Sequence, residues 1–441
     1  MHLKIHCRHW ISSLQFITIL GWGFLTAGIF FGSWWAYREL GWGGFWFWDP
    51  VENAALLPWL FATALFHSAL VSKKITQLKN WTILLTILTF LFTLVAFFLV
   101  RSGVVISVHS FAYDPGRGMF ILFFILLLFF YSVSLFIYRK EFYESKNKAA
   151  NFISKVNFIL LNILLLITIV AVVCIGTLYP LFIELFTGYR LTVGAPFFNL
   201  SLMPILALML IFITAIPLLK WQVNKWQLIK YKLSLPFILA AIITLTIWYK
   251  YDGNLLLYFI LLLSLFAGFV LLAAISKKEN MSMLLAHAGF IVLIVAISLY
   301  ALFKQEKELV INNGERTQIA QYKLELKEIR PARKQNYFVR IAEFAIYKNG
   351  KYLTNLYPEK RLYIIEQDQT SEAAIIRQQF LTSDLYMVVG DLREQGIYTR
   401  IYYNPLVNLI WLSGLLMVLG ALVNLKNIFI TDNTYCNFPL T

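Results

Sequence analysis

The sequence predicts an α-helical polytopic membrane protein of about ten transmembrane helices, with a small β-rich external domain near its C-terminus. Three observations predict it. Hydrophobic residues make up 59% of the 441 positions and charged residues only 14%, with a mean hydropathy of +0.69, which lies outside the range of soluble globular chains. Apolar runs long enough to cross a bilayer core of about 30 Å as a helix recur along the chain. Between the ninth and tenth runs, by contrast, residues 304–404 alternate polar and apolar side chains with no helical stripe.

The runs place membrane spans near 15–37, 53–71, 81–100, 119–138, 157–179, 199–219, 235–249, 254–275, 281–303 and 405–425. Alternate loops differ sharply in basic residues. One set holds Lys4, Arg8, Lys73, Lys74, Lys79, the Arg139–Lys155 group, the Lys220–Lys232 group, Lys277, Lys278 and Lys426; the other set's short loops hold only Arg38, Arg101, Arg117, Arg190 and Lys250. The positive-inside rule therefore puts both termini on the inner side, as a basic tail over 1–14 and a second tail over 426–441. It puts segments 32–53, 101–118 and 304–404 on the outer side. The net charge of +15 thus reads as membrane orientation rather than as affinity for nucleic acid. Within 304–404, an Asn349–Gly350 pair between alternating runs predicts a β-hairpin. Cys7, Cys174 and Cys436 are far apart and form no CxxC, which argues against a dithiol centre or a covalently attached haem. The polar start of the chain, HLKIHCRHW, does not read as a cleavable signal.

The densest chemical signal is GWGGFWFWDPVEN over 41–53. Trp42, Trp46 and Trp48 stand among Gly41, Gly43 and Gly44, with Trp34 and Trp35 before them and Trp59 just after. Glycines break a strand here, and the aromatics make an amphipathic platform suited to a membrane surface. Asp49 precedes Pro50, and Glu52 follows three residues later, so the two acids predict a capped start for the second span rather than acid–base chemistry. Two histidines fall within spans. His67 lies about five residues before the inner end of span two and His287 about six residues after the inner start of span nine. Two imidazoles at one height on different helices are what axial ligation of a haem requires; a hydrogen bond from each to a neighbouring helix is the plainer alternative. His109 lies in the outer loop with Arg101 and Arg117; these two and Arg38 suit haem propionates or, at least equally, interfacial anchoring and lipid headgroups. His2, His6 and His9 read as solvated inner-face residues. No Ser/His/Asp grouping and no phosphate-binding glycine loop is present.

WGGFWFWDPVEN closely resembles the WWD signature of the membrane proteins that handle haem in cytochrome c assembly, and its DPVEN ending resembles the CcmF family. The resemblance continues through GSWWAYRELGWGG (32–44), ALFHS (64–68), FLVRSGVVISVHSFAYDPGRGMFIL (98–122), GTLYPL (176–181), PFFN (196–199), AHAGF (286–290), EKRLY (359–363) and YYNPLVNLIWLSGLLMVLGAL (402–422). It implies that His67 and His287 are the axial ligands of a b haem in the membrane. It implies a transient substrate haem on the Trp segment, with Trp42, Gly43, Gly44, Trp46, Trp48, Asp49, Arg101 and Arg117 around it and His109 as one axial ligand. The implied partners are a CcmE-like haem chaperone, CcmH- and CcmI-like thiol and apocytochrome-binding subunits, and apocytochrome c. The implied location is a bacterial cytoplasmic or mitochondrial inner membrane, with the Trp segment on the periplasmic or intermembrane side. In this family a further external histidine lies upstream of the Trp segment, before an additional span, so the resemblance also implies a separate polypeptide carrying that N-terminal portion.

The expectation is accordingly a haem lyase subunit that receives haem from the chaperone and promotes thioether attachment to the cysteines of a CxxCH site, with the b haem as reductant. A haem transporter, a nonfunctional truncated remnant and a paralogue devoted to one specialised cytochrome are the alternatives.

Overall fold

The computed structural model describes residues 2–75, 77–105, 107, 114–139, 153–221, 226–275, 281–365, 367–377 and 383–436. Among them are ten helices long and apolar enough to cross a membrane. These are α1 (His2–Glu39), α2 (Pro50–Ile75), α3 (Lys79–Ser102), α4 (Pro115–Tyr138), α5 (Lys155–Thr187), α6 (Ala195–Ala215), α7 (Trp226–Lys250), α8 (Leu255–Ile275), α9 (Met281–Phe303) and α10 (Val407–Cys436). The protein is a multi-pass membrane protein, and each expected span coincides with one helix.

The helix ends follow local chemistry. Asp114 caps α4 by accepting from the Arg117 amide at 3.1 Å, with Pro115 as the first helical residue. Ser154 caps α5 in the same way, accepting from the Asn157 amide at 3.3 Å. Helices run further than expected where nothing stops them. No glycine or proline precedes Gly21, so most of the 1–14 tail is continuous with α1, and residues 32–39 of the Trp-rich segment are its last two turns. Likewise α10 takes in most of 426–441.

Packing divides the chain into two units, one of Met1–Ile29, Trp46–Ile291 and Gly414–Thr441, the other of Phe30–Phe45 and Val292–Ser413. In the helical unit, α2 is the enclosed member. Some 61% of its apolar window is buried against 6% for α4, so a side chain on α2 is the best placed to meet other helices. Leu57, Phe61 and Leu65 of α2 pack with Leu85 of α3 and with Ile159, Ile163, Val170 and Val173 of α5. A polar seam joins α2 to α3, where Thr82 Oγ1 lies 2.9 Å from Ser68 Oγ and 2.8 Å from Ser72 Oγ. Ser72 Oγ also donates to the Gln77 carbonyl at 2.7 Å and Thr82 Oγ1 to the Leu78 carbonyl at 2.9 Å, so the hydroxyls are satisfied within the apolar medium.

The second unit is a two-sheet sandwich. Its strands are β1 (Gln305–Ile311), β2 (Arg316–Ile319), β3 (Tyr322–Arg333), β4 (Tyr337–Lys348), β5 (Lys351–Leu356), β6 (Glu359–Tyr363), β7 (Gln369–Glu372), β8 (Ala374–Arg377), β9 (Ser383–Arg393) and β10 (Gly396–Pro405). One sheet has the order β1-β10-β9-β8 and the other β2-β3-β4-β6-β7, with β5 also paired to β4. The β4–β5 turn is Asn349–Gly350, both at positive φ (50° and 81°), as a tight primed turn requires. Strand β9 serves two cores. Leu385, Met387 and Val389 face the sandwich interior with Ile397 and Ile401 of β10, while Tyr386 and Val388, with Tyr402 of β10, face a second cluster with Tyr37 of α1, Ala296 of α9 and Val407 and Ile410 of α10. The period of two along a strand makes this division automatic.

Candidate functional site

The Trp-rich segment is held in two parts. Its first part, Gly41–Phe45, packs within the β-sandwich unit. Gly43 is buried at φ +75°, and a Cβ there would collide with the Tyr402 ring, so only glycine fits. The Gly43 carbonyl accepts from Asn404 Nδ2 at 3.0 Å, and the single Tyr300 hydroxyl proton is shared between that carbonyl at 3.3 Å and Asn404 Oδ1 at 3.1 Å. Ser33 of α1 donates to the Phe45 carbonyl. Trp42 and Gly44, on either side of Gly43, are half-buried.

The second part, Trp46–Asn53, packs within the helical unit. Trp48 sits at φ +58°, a conformation costing a non-glycine residue about 1–3 kcal/mol. Its surroundings hold it there. The indole stacks on Phe198 at 4.8 Å and 11°, its Nε1 donates to Asn199 Oδ1 at 3.1 Å, and its carbonyl accepts from Asn53 Nδ2 at 3.0 Å. Trp46 meets Trp48 edge-on at 6.0 Å. Asp49 and Glu52 form the expected capping box: Asp49 Oδ2 accepts from the Val51 amide at 3.0 Å, and Glu52 Oε2 accepts from the amides of Asp49 (3.1 Å) and Phe47 (2.9 Å). Asp49 has a second task, accepting from Ser107 Oγ at 2.5 Å. That bond fixes Ser107 against the start of α2.

His109 lies outside the described residues. The ends of its loop are described: the Arg101 carbonyl accepts from the Asp114 amide at 2.8 Å, and Arg117 pairs with Asp114 at 3.2 Å while its side chain stays 71% exposed. Exposed pairs of this kind are worth about 0–1 kcal/mol, so the Arg117 guanidinium is available to a stronger anion.

His67 and His287 come together inside the helical unit, their ring centres 6.1 Å apart at an interplanar angle of 38°. His67 Nδ1 lies 2.8 Å from the Thr63 carbonyl oxygen. A carbonyl only accepts, so Nδ1 carries the proton and Nε2 presents its lone pair, the arrangement in which a second partner orients a metal-binding imidazole. Thr63 is itself fixed, accepting from Trp22 Nε1 at 2.8 Å and donating to the Trp59 carbonyl at 2.8 Å. The Trp22 and Trp59 rings stack at 5.7 Å. Two imidazole nitrogens each about 2.0 Å from one metal put their ring centres about 6 Å apart, so the pair fits axial ligation. Among the described residues no group of three His, Cys, Asp or Glu gathers.

Sequence reasoning missed Thr63, Asn199, Asn404 and Tyr300, each of which fixes a site residue. The available signal was a polar residue inside an apolar run, where burial demands a partner.

Known proteins share this organisation. Residues 7–106 match the family described as Cytochrome C assembly protein, and residues 302–405 match the CcmF C-terminal beta-sandwich. The chain is 34% identical over 428 residues to cytochrome c-type biogenesis protein NrfE of Haemophilus influenzae, covering 94% of this chain and 67% of that protein. It is 38% identical over 440 residues to CycK of Bradyrhizobium diazoefficiens, covering 95% of this chain and 66% of the relative. The chain belongs to the CcmF family. A solved structure, Cytochrome c Heme Lyase CcmF, superposes with a TM-score of 0.74 at 24% identity over 94% of this chain and 66% of that one, and shows the shared fold. CcmF of Escherichia coli is 36% identical over 418 residues, with 92% of this chain and 64% of that protein covered. This CcmF-family chain thus spans about two thirds of the length of the curated relatives it matches.

Proposed function

We propose that the chain is a haem lyase subunit of cytochrome c maturation. It takes haem from a CcmE-like chaperone on the outer side of a bacterial cytoplasmic or mitochondrial inner membrane, and promotes its attachment to an apocytochrome c delivered by CcmH- and CcmI-like subunits. The observation that carries this reading is the His67–His287 pair, a haem-ligand geometry inside a chain of this family. His67 and His287 hold a resident b haem, which supplies one-electron chemistry, the capacity to reduce an incoming haem.

The substrate haem lies on the Trp segment, with His109 as one axial ligand. Ser107, two residues before His109 in the chain, is bonded to Asp49 at the end of that segment, which supports a shared site. Arg101 and Arg117 meet the propionates. In the reaction each cysteine S–H adds across a vinyl C=C: a C–S bond forms at one vinyl carbon and the thiol proton ends on the other, with no net redox change. The chain's contribution is position, which alone supplies up to about 7–11 kcal/mol in well-oriented reactions.

Cells lacking the protein discriminate this from haem transport. A lyase defect leaves haem-loaded chaperone accumulating; a transport defect leaves the chaperone empty, and that result would replace the lyase reading with the transporter.

A further inference from the structure

In the second unit two elements, α9 through Tyr300 and β10 through Asn404, converge on one backbone carbonyl of the Trp segment. Asn404, at the end of β10, is wholly buried, and its side chain has no polar capacity to spare on that side. One amide hydrogen goes to the Gly43 carbonyl at 3.0 Å and the other to the Tyr37 hydroxyl at 3.1 Å. Its oxygen accepts from the Tyr300 hydroxyl at 3.1 Å, the same hydroxyl that lies 3.3 Å from the Gly43 carbonyl. Tyr37 in turn donates to Asp384, also wholly buried, at 3.3 Å, and Arg377 approaches that carboxylate at 3.6 Å.

Burying so many polar groups adds little net stability compared with apolar packing of the same volume. What it adds is direction. A flipped Asn404 amide would set its oxygen against the Gly43 carbonyl, so only one orientation is allowed. Gly43 in its turn has one conformation, at φ +75° with the Tyr402 ring where a Cβ would be. Fixing this carbonyl fixes the Gly43–Gly44 peptide plane, and the confined φ of Gly43 carries that orientation back to the Trp42–Gly43 plane.

We infer that Asn404 and Tyr300 are positioning residues for the substrate haem: they lock the Gly43 carbonyl and so set the Trp42–Gly44 backbone in its haem-receiving orientation before haem arrives. This rests on the reading that the Trp segment presents haem. Preorganisation of this kind removes an ordering cost from binding.

The test is titration of the purified full chain, its resident haem in place, with haemin, read by the change in the Soret band. Asn404→Leu keeps side-chain volume and removes three hydrogen bonds, and Tyr300→Phe removes one hydroxyl. The expected result is haemin binding weakened about tenfold in the first variant and about threefold in the second, in line with net values for lost buried hydrogen bonds. The resident haem spectrum stays as in the wild type in both variants, the thermal midpoint falls in Asn404→Leu because three buried groups lose a partner, and the Soret position of the weakly bound haemin shifts. Unchanged haemin affinity in Asn404→Leu would overturn the inference. So would a loss matched by loss of the resident haem, or wild-type haemin affinity in Tyr300→Phe, because either pattern marks a structural role alone. If the wild type itself binds no haemin that Trp42→Ala or His109→Ala weakens, the underlying reading fails, and this inference with it.

Discussion

His67 and His287 show how a single atom's hydrogen bond decides the chemistry available to a residue. The Thr63 carbonyl places the proton on Nδ1 of His67 and leaves Nε2 with its lone pair, and the His287 ring centre lies 6.1 Å away; on the proposed reading both rings would hold one iron. Purified protein is expected to show a low-spin b-type spectrum that disappears in His67→Ala and in His287→Ala. Retention of that spectrum in both variants would remove the ligand assignment. Trp48 carries a different lesson. Its left-handed backbone and its stack on Phe198 mean that the indole is a clamp for the segment as much as a surface for a ligand.

The elements that bear these residues are set by short-range signals. Helix α2 starts where it does because Asp49 and Glu52 satisfy the amides that a helix N-terminus leaves open. Glu52→Ala should cost about 1 kcal/mol of stability and speed hydrogen exchange at the Phe47 and Asp49 amides, which Glu52 accepts; exchange unchanged at both would show that the cap is idle. The α2–α3 seam makes a second case. Thr82→Val keeps the shape but leaves the Ser68 and Ser72 hydroxyls without their shared partner, so a loss of about 1–2 kcal/mol in thermal or denaturant unfolding is expected. A neutral result would mean that the bonds Ser72 and Ser68 already make to the Gln77 and Leu78 carbonyls suffice without Thr82.

At the scale of the whole molecule, the buried Asp384 links stability to pH. Burial raises its carboxyl above the ordinary aspartate range, with Arg377 and Tyr37 acting against that shift. A group that holds its proton more tightly when folded loses stability as pH rises from its unfolded value to its raised folded one. Asp384→Asn abolishes this component, so the thermal midpoint of the variant should gain on that of the wild type as pH climbs through that window. A difference between the two that does not vary with pH would refute the assignment. Glu308 and Glu325 give the opposite trend. The Tyr398 hydroxyl and Arg400 hold Glu308 low, and Lys327 and Arg316 hold Glu325 low, so their stabilisation fades on acidification in variant and wild type alike and cancels in the comparison.

The ten helices, the strand-rich stretch 304–404, the Asn349–Gly350 turn and the capping box were all legible in the sequence, because each depends on periodicity or on neighbours within a few residues. The equal depth of His67 and His287 was legible too. That they face each other was not, because which helices adjoin is set by packing between residues more than two hundred positions apart. The nearly unbroken apolar run of β9, LYMVV, gave no alternation to read, since the strand feeds one core with its odd residues and another with its even ones. Sequence by itself determined that a Trp- and Gly-rich segment leads into a capped helix. Only the tertiary structure decided that the segment is divided between two packing units, its Gly43 carbonyl held by Asn404 and Tyr300 and its Trp48 held by Phe198 and Asn199. The reason is physical: a glycine's carbonyl and a tryptophan's N–H look alike in every sequence, and only the fold chooses which distant buried groups satisfy them.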